Sequence, residues 1–148
     1  MNVGWGLECE EGEFDLGWGD CNELWSGHTD GCMSSGCYSI GETTELIRTY
    51  TIVGEIPSEI GELVNLRYIY IEGCDISGEI PLEIGNLVNL QSLSIYDNEE
   101  FFESSGLTGE IPDEIGNLTS LEWLKLSDNQ LTGRIPESLG NLTNLDGL

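Results

Sequence analysis

The chain has 148 residues and a mass of 16.2 kDa, with 28 acidic residues, 4 basic residues and a formal net charge of −24. Four dispersed cations cannot form a phosphate-neutralising patch, which excludes nucleic acid and anionic lipid as partners. No apolar run approaches the roughly 18 residues that span a bilayer, and the amino terminus shows neither a basic region nor an apolar stretch. We therefore expect no membrane insertion in this segment and no secretory signal.

The first 41 residues show no internal sequence repeat and differ in composition from residues 42–148, which do. They contain eight acidic residues, no lysine or arginine, three of the four tryptophans and four of the five cysteines. Such a segment before a series of repeats is most simply a cap, whose tryptophans supply apolar area to cover the first repeat. We therefore predict an acidic cap over residues 1–41.

The cysteines of this segment are Cys9, Cys21, Cys32 and Cys37. Zinc sites usually need close ligand pairs, and no Cys-x-x-Cys occurs here, so we expect no metal site. Two disulfides are the favoured interpretation, with three connectivities left open, and reduced thiols are the alternative. Disulfides would indicate an oxidising compartment.

Catalysis is not expected. The single histidine, His28, lies in a polar stretch of Gly, Ser and Asp and is interpreted as solvated. No Gly-x-Ser-x-Gly elbow is present to support a serine nucleophile. The acidic runs at 8–13 and 97–100 lack the alternating aspartates of a calcium loop, so they are interpreted as solvated charge.

A tetrapeptide, Gly-x-Ile-Pro, sets the period of the remaining chain. It begins at Gly54, Gly78, Gly109 and Gly133, at intervals of 24, 31 and 24 residues. Between these marks runs the pattern Leu-x-x-Leu-x-Leu-x-x-Asn/Cys-x-Leu, as in Leu121, Leu124, Leu126, Asn129 and Leu131. The longer interval contains a seven-residue insertion at 99–105. A fixed period of this length indicates a solenoid of stacked coils.

The alternating apolar residues of each unit predict a short strand with apolar side chains inward and the intervening ones toward solvent. Strands of successive coils then pair in one parallel sheet. Asn98 and Asn129 fall where the chain leaves the strand, and a buried amide there satisfies backbone groups. Cys74 takes the same position and is expected to be a buried thiol outside any disulfide. At least three coils must stack to bury a sufficient core.

The stretch from Leu107 to Asn129 resembles the plant-type leucine-rich repeat of receptor-kinase ectodomains and polygalacturonase-inhibiting proteins, and the resemblance covers residues 42–148. It implies an α/β-type solenoid, with a parallel sheet on the concave face and irregular, 3-10 or polyproline segments on the convex side. It also implies recognition of a protein, peptide or glycan on the concave face. It transfers no catalytic residue and no cofactor to this chain.

Both ends of the repeat region depart from this pattern. The unit around Leu46 is one residue short and lacks the asparagine, so we interpret it as a degenerate first coil. The sequence reaches Leu148 before its last unit is complete, and no polar cap follows. We expect either a truncated product or excised fragment, or an apolar edge covered by a partner or by self-association.

Solvent-facing positions on three predicted strands form the candidate binding surface. Four of them are aromatic, which favours binding because rigid amphipathic rings supply much of the contact energy at interfaces, although strand propensity alone attracts aromatic residues. The candidates are Tyr68, Tyr70, Glu72, Ser92, Ser94, Tyr96, Trp123, Lys125 and Ser127. Phe101 and Phe102 of the insertion lie at the rim, either as an anchor or folded back onto the flank.

Asn117 and Asn141 each begin an Asn-Leu-Thr sequence, which is a glycosylation acceptor in a secreted protein and is also the consensus of this repeat. An extracellular or cell-surface location is favoured, and a cytoplasmic one stays open because no signal is visible. The leading hypothesis is a non-catalytic recognition module for a protein or peptide. The alternatives are a cell-surface adhesin or glycan-binding module, and a structural ectodomain fragment of a longer receptor-like protein.

Overall fold

The structure, a computed structural model, describes residues 13–15, 37–39, 41–49, 53–96 and 106–147. Within these ranges the strands are β1 (Glu13–Asp15), β2 (Cys37–Ser39), β3 (Glu45–Thr49), β4 (Val53–Glu55), β5 (Tyr68–Glu72), β6 (Asp75–Ser77), β7 (Ser92–Tyr96) and β8 (Trp123–Lys125). Four 3-10 helices alternate with them: η1 (Ser58–Glu62), η2 (Leu82–Asn86), η3 (Asp113–Asn117) and η4 (Glu137–Asn141).

The main sheet contains β3, β5, β7 and β8 in that order, and every pairing is parallel. The register places the apolar residue of each coil next to its equivalent in the following coil, as in Ile69 beside Leu93 and Leu93 beside Leu124. A further parallel bridge joins Trp123 to Gly147, where the next coil begins. The predicted solenoid with one parallel sheet is confirmed.

A second set of parallel pairings follows the strand of each coil. β4 pairs with β6, and isolated bridges join Glu79 to Thr108 and Glu110 to Thr132. The turn after these pairings requires glycine: Gly109 has φ of 73°, and a Cβ there would lie 2.8 Å from Cγ of Glu79. Gly78, Gly109 and Gly133 therefore combine a left-handed backbone with close contact to the preceding coil, whereas Gly54 has a positive φ without such a contact.

Proline starts the convex side of each coil. The backbone angles are similar at all four prolines, Pro57, Pro81, Pro112 and Pro136: φ lies between −75° and −60° and ψ between 138° and 152°. These are the angles of the polyproline conformation predicted for the convex side. A short 3-10 helix follows each proline, closed by bonds such as the one from the Ile84 N–H to the Pro81 carbonyl at 3.1 Å. Because these helices are short, successive coils stack closely on the convex side.

The core is a single apolar cluster that runs through the stacked coils. Its side chains come from the strands, from the 3-10 helices and from the turns between them, so each coil contributes one slab. Members that are at most 2% exposed include Leu46, Ile60, Leu63, Leu66, Ile69, Ile71, Ile76, Ile84, Leu87, Leu90, Leu93, Ile95, Leu107, Ile115, Leu118 and Leu121. These are the positions at which the repeat pattern predicts inward-facing apolar residues.

Asn129 stabilises the turn at the end of its strand through its side-chain amide. Its Nδ2 donates to the carbonyl oxygens of Ile95 at 2.8 Å, Leu126 at 3.1 Å and Ser127 at 3.2 Å, and its Oδ1 accepts from the Leu107 N–H at 3.0 Å. The predicted role of this asparagine is confirmed. Cys74 is buried in the equivalent place, and its thiol donates to the Glu72 carbonyl at 3.4 Å.

The carboxy-terminal side of the stack exposes apolar surface. Ile56 and Ile80 are buried beneath the following coil, whereas Ile135, at the same repeat position, is 68% exposed. The partly buried Leu139 and Leu145 pack against the core from this last coil. Ile135 therefore contributes exposed apolar surface on the last described coil.

Outside the repeats, β1 pairs with β2 in an antiparallel two-stranded sheet, with Phe14 opposite Tyr38. Cys37 begins β2. The other three cysteines of the predicted cap, Cys9, Cys21 and Cys32, lie outside the described residues. Asn98 of the repeat region does too. The two predicted disulfides stay a prediction.

Candidate functional site

The strand face, defined as the solvent-facing side of β3, β5, β7 and β8, carries its side chains in rows that cross the strands. Row one contains Glu45, Tyr68, Ser92 and Trp123. Row two contains Ile47, Tyr70, Ser94 and Lys125. Row three contains Glu72 and Tyr96. The rows form because parallel strands in register bring equivalent positions of successive coils together, so residues 23 or more positions apart become neighbours.

Rows two and three meet in a cluster of four polar and aromatic side chains. The Tyr70 hydroxyl donates to Oε2 of Glu72 at 2.9 Å and is also hydrogen-bonded to the Tyr96 hydroxyl. The two rings meet edge to face, with centroids 5.7 Å apart. Nζ of Lys125 lies over the Tyr96 ring at 3.1 Å from its centroid, a cation–π contact. This cluster holds the middle of the strand face in one arrangement before any ligand arrives.

The same contacts perturb the ionisation of one phenol. The hydrogen bond that the Tyr96 hydroxyl donates to Tyr70, together with burial and the nearby Glu72 carboxylate, raises the pKa of Tyr96 well above its ordinary value of 10.0. All of these effects disfavour the phenolate, because a neutral hydroxyl can share the bond network whereas a second negative charge beside Glu72 cannot.

An alkaline titration followed by near-ultraviolet absorbance should therefore show an ionisation step of Tyr96 above the ordinary range of a tyrosine. The folded state holds Tyr96 protonated, so its contribution to stability is complete below about pH 10 and is lost as the pH rises through the higher folded pKa. Tyr96→Phe should remove the late step, and denaturant should merge it with the rest. A late step that survives Tyr96→Phe would show that the perturbed phenol lies elsewhere.

The Tyr68 side chain of row one is held in place by Arg67 and Gln91, the residues that directly precede β5 and β7. Its hydroxyl donates to Oε1 of Gln91 at 2.7 Å, and an Arg67 nitrogen donates to the same oxygen at 3.3 Å. The Arg67 guanidinium carbon lies 5.8 Å from the centre of the Tyr68 ring. The ring therefore leans from β5 toward β7 while remaining 37% exposed.

Trp123 is the most exposed aromatic residue of row one, at 57%. Its ring lies against the backbone of Gly147, because a Cβ at that glycine would be 2.3 Å from Cε3 and 2.4 Å from Cζ3 of the indole. The ring thus leans toward the next coil, in the same direction as Tyr68. The six-membered part of the indole is therefore in contact with the protein, and the rest of the ring system is open to solvent.

Ser94 differs from the expectation for the strand face, because it is buried. Tyr70 and Lys125 are its neighbours in row two, and Tyr96 follows it on the same face of β7. These longer side chains meet one another around the small serine and shield it. Ser94 therefore supports the cluster and is not accessible to a ligand. Ser127 is exposed, but it lies two residues beyond the end of β8.

The sequence pattern missed several contributors to this face. β3 pairs in full register with β5, so the first coil is a regular strand whose Glu45 and Ile47 extend rows one and two. Arg67 and Gln91 were also missed, because they precede the strands instead of lying within them. The alternation Glu45-Leu46-Ile47 was the signal that could have identified the first coil.

The remaining predicted sites are the rim phenylalanines of the insertion and the two glycosylation acceptors. Phe101 and Phe102 of the insertion lie outside the described residues. Asn117 and Asn141 are both exposed, as a glycan acceptor must be, and their modification stays a prediction. Among the described residues, no group of three or more His, Cys, Asp or Glu side chains could hold a metal ion.

In the described part of the chain, no helix has the length and apolar character of a membrane span.

A family model described as a leucine-rich repeat region matches residues 45–148. Among solved structures, the plant peptide hormone receptor RGFR1 in complex with RGF2 is 41% identical, with a TM-score of 0.62, over 69% of this chain and 15% of that one. A chain of the BIR3–SERK2 complex from Arabidopsis thaliana is 33% identical, with a TM-score of 0.60, over 70% of this chain and 52% of that one.

The Arabidopsis receptor kinase HAESA, in complex with the peptide hormone IDA and the co-receptor SERK1, is 38% identical. Its TM-score is 0.57, over 65% of this chain and 15% of that one. This chain therefore spans from about one seventh to one half of the lengths of these three structures. Comparison with curated proteins gave no significant match.

Proposed function

This chain belongs to the leucine-rich-repeat family, and on that premise we propose that it is a non-catalytic recognition module that binds a protein or peptide on its strand face. The single observation that carries the proposal is the arrangement of row one, where the exposed rings of Tyr68 and Trp123 stand in register. Both rings are fixed by contacts with the protein, so little rotamer entropy remains to be lost when a ligand binds.

The related structures support the same proposal. RGFR1 and HAESA are described with bound peptide hormones, and BIR3 with SERK2 is a complex between proteins. Because this chain covers only part of each, their partners are not transferred to it. What is transferred is the kind of ligand, which agrees with the exposed aromatic and polar composition of the strand face.

A peptide selected from an unbiased display library on the wild-type chain provides the test. Replacing both Tyr68 and Trp123 by alanine should weaken its binding about 30-fold or more, since two aromatic anchors together contribute about 2 kcal/mol or more. Tyr70 and Tyr96 are retained because they hydrogen-bond to each other, and removing them would mix binding with stability. Affinity is measured by isothermal titration calorimetry.

The matched control replaces two exposed apolar residues of the convex side, Leu82 (58% exposed) and Val88 (48%), by alanine. This double variant should bind the selected peptide as tightly as the wild type. If the convex variant loses affinity and the strand-face variant keeps it, the proposed surface is wrong. A glycan array on the same proteins decides between a peptide ligand and the sugar-binding alternative, in which row one would stack on sugar rings.

The cellular location, the role of residues 1–41 and self-association are proposals as well. We propose an extracellular or cell-surface location, supported by relatives described as ectodomains of membrane receptor kinases. We propose that residues 1–41 cap residues 42–148, supported by the antiparallel pairing of β1 and β2, which differs from the parallel repeats. Self-association through the apolar edge at Ile135 is the remaining proposal, and the dependence of molar mass on concentration tests it.

A further inference from the structure

We propose that a polar cleft on the flank of the solenoid, beside the amino-terminal ends of β5, β7 and β8, binds a neutral carbohydrate. This flank cleft is separate from the strand face, so the inference goes beyond the proposed function and does not depend on it. Its basis is a gap in a row of asparagine amides, together with the hydrogen-bond donors and acceptors that line the cleft.

The flank cleft is formed by side chains of successive coils. Its volume is about 510 Å³, which lies in the range of small-molecule sites, about 300–1,000 Å³. Asn65 and Arg67 contribute to it from the coil of β5, Asn89 and Gln91 from the coil of β7, and Ser120 from the coil of β8. Every residue that lines the cleft is polar or glycine, so an apolar ligand would leave polar groups without partners.

The asparagine row, which contains Asn65, Asn89 and Asn144, connects each of its coils to the preceding one. Every member directly precedes the first leucine of its repeat unit. Its Nδ2 donates to a backbone carbonyl of the preceding coil: Asn65 to Gly41 at 3.1 Å, Asn89 to Val64 at 2.9 Å and Asn144 to Thr119 at 2.8 Å.

Ser120 interrupts this row. It takes the asparagine position in the coil of β8, with a shorter side chain, and it lines the flank cleft. The carbonyl at the corresponding place in the preceding coil is that of Val88, and it accepts no hydrogen bond from the described residues. The substitution of serine for asparagine therefore leaves both space and an unmatched acceptor at this end of the cleft.

Other groups of the flank cleft are unmatched as well. Gln91 accepts two bonds through Oε1, and its Nε2 donates none within the described residues. Asn65 and Asn89 each donate through Nδ2, and their Oδ1 atoms accept no bond from the described part of the chain. Because a hydroxyl group both donates and accepts, a ligand with several hydroxyl groups can satisfy both kinds of group at once.

The charges at the flank cleft favour a neutral ligand. Of the described residues that line it, Arg67 alone is charged, and its guanidinium already donates to Gln91 at 3.3 Å. An anion could bind Arg67, but it would leave the Val88 and asparagine acceptors unmatched. A cation would be repelled by Arg67 and would find no carboxylate among these lining residues. A neutral molecule with many hydroxyl groups, a carbohydrate, meets all of these conditions.

Three oligosaccharides test the ligand class. Cellotetraose and maltotetraose are neutral, and tetragalacturonic acid is anionic. Titrations are followed by proton–nitrogen NMR of the wild-type chain at about 150 mM salt, which screens long-range charge effects. At least one neutral probe should bind saturably, with a dissociation constant of about 1–10 mM, because hydrogen bonds without a buried aromatic contact give weak binding. Binding of neither neutral probe, or equal or tighter binding of the anionic one, would overturn the inference.

The same titration locates the site. The side-chain amide signals of Asn89 and Gln91 should shift as the neutral probe binds, because both residues line the flank cleft. Saturable binding that leaves these two signals in place would also overturn the inference.

Ser120→Asn restores the asparagine row and is the decisive variant. The new amide should donate to the Val88 carbonyl and fill the gap, so the affinity for the neutral probe should fall by about tenfold or more. The variant should unfold in urea at or above the wild-type midpoint, which separates lost binding from lost folding. Trp123→Ala, on the strand face, is the control and should keep the wild-type affinity. Unchanged affinity in Ser120→Asn would overturn the site.

The outcomes also separate this inference from the proposed function. A saccharide that is lost with Trp123→Ala and kept with Ser120→Asn would lie on the strand face, which overturns the flank cleft. A selected peptide that is unaffected by replacing Tyr68 and Trp123 would overturn the proposed function and leave saccharide binding in the flank cleft unaffected.

Discussion

Replacing Gly85 by alanine is expected to lower the free energy of unfolding by about 1–3 kcal/mol, the cost of overpacking a closely packed contact. Gly85 lies in η2, and a Cβ there would be 2.7 Å from the Glu114 carbonyl oxygen and 2.8 Å from the Glu114 Cβ. Because the nearest atom belongs to the backbone of the next coil, a side-chain rotation cannot relieve the clash. The coils themselves would have to move apart.

Gly140 is the matched control, because it occupies the same repeat position in η4 and an added Cβ would meet no atom within 4 Å. Gly140→Ala should therefore be neutral or stabilise the 148-residue chain by up to about 1 kcal/mol, through the reduced entropy of the unfolded state. Urea unfolding measures both variants, with an unchanged m-value expected. Equal destabilisation by the two substitutions would mean that the convex stacking is not as described.

Asn129→Asp is expected to lower the free energy of unfolding by about 3–5 kcal/mol. The substitution is isosteric, but an ionised carboxylate cannot donate, so the carbonyls of Ile95, Leu126 and Ser127 lose this side-chain donor. The bonds to Ile95 and Leu126 are partly buried and the bond to Ser127 is exposed, so two carbonyls at about 1–3 kcal/mol each, together with the new charge, account for the expected loss.

Asn89→Asp makes the same chemical change at an exposed asparagine that donates one bond, to the Val64 carbonyl at 2.9 Å. It should cost less than about 1 kcal/mol, because water can replace the lost donor. Thermal or urea unfolding compares the two variants. A similar loss of stability at both positions would contradict the structural role assigned to Asn129.

The repeat period was sufficient to predict the coil, its core and the rows of the strand face. Leu66, Leu93 and Leu124 are buried because a stack of coils admits only one inward register. The same register places Tyr68, Ser92 and Trp123 side by side, although 55 positions separate the first from the last. In this fold, sequence spacing determines spatial neighbours, so the sequence alone predicts which residues form the candidate surface.

The period does not determine how side chains meet within a row. Nothing in the repeat pattern indicates that Tyr70 and Tyr96 share a hydrogen bond, that Lys125 lies over the Tyr96 ring, or that Ser94 is buried beneath these side chains. These contacts depend on side-chain torsions, and each is made between residues of different coils. The first coil was also underestimated, because it lacks the asparagine of the repeat and β3 nevertheless pairs with β5 over its full length.

The most direct test of strand-face recognition is a structure of the chain bound to a peptide selected without bias. We expect the peptide to cover the rings of Tyr68 and Trp123 and to cross β5, β7 and β8, while Leu82 and Val88 on the convex side stay uncovered. A peptide found on the convex side, or on the apolar edge at Ile135, with both rings still open to solvent, would contradict the account.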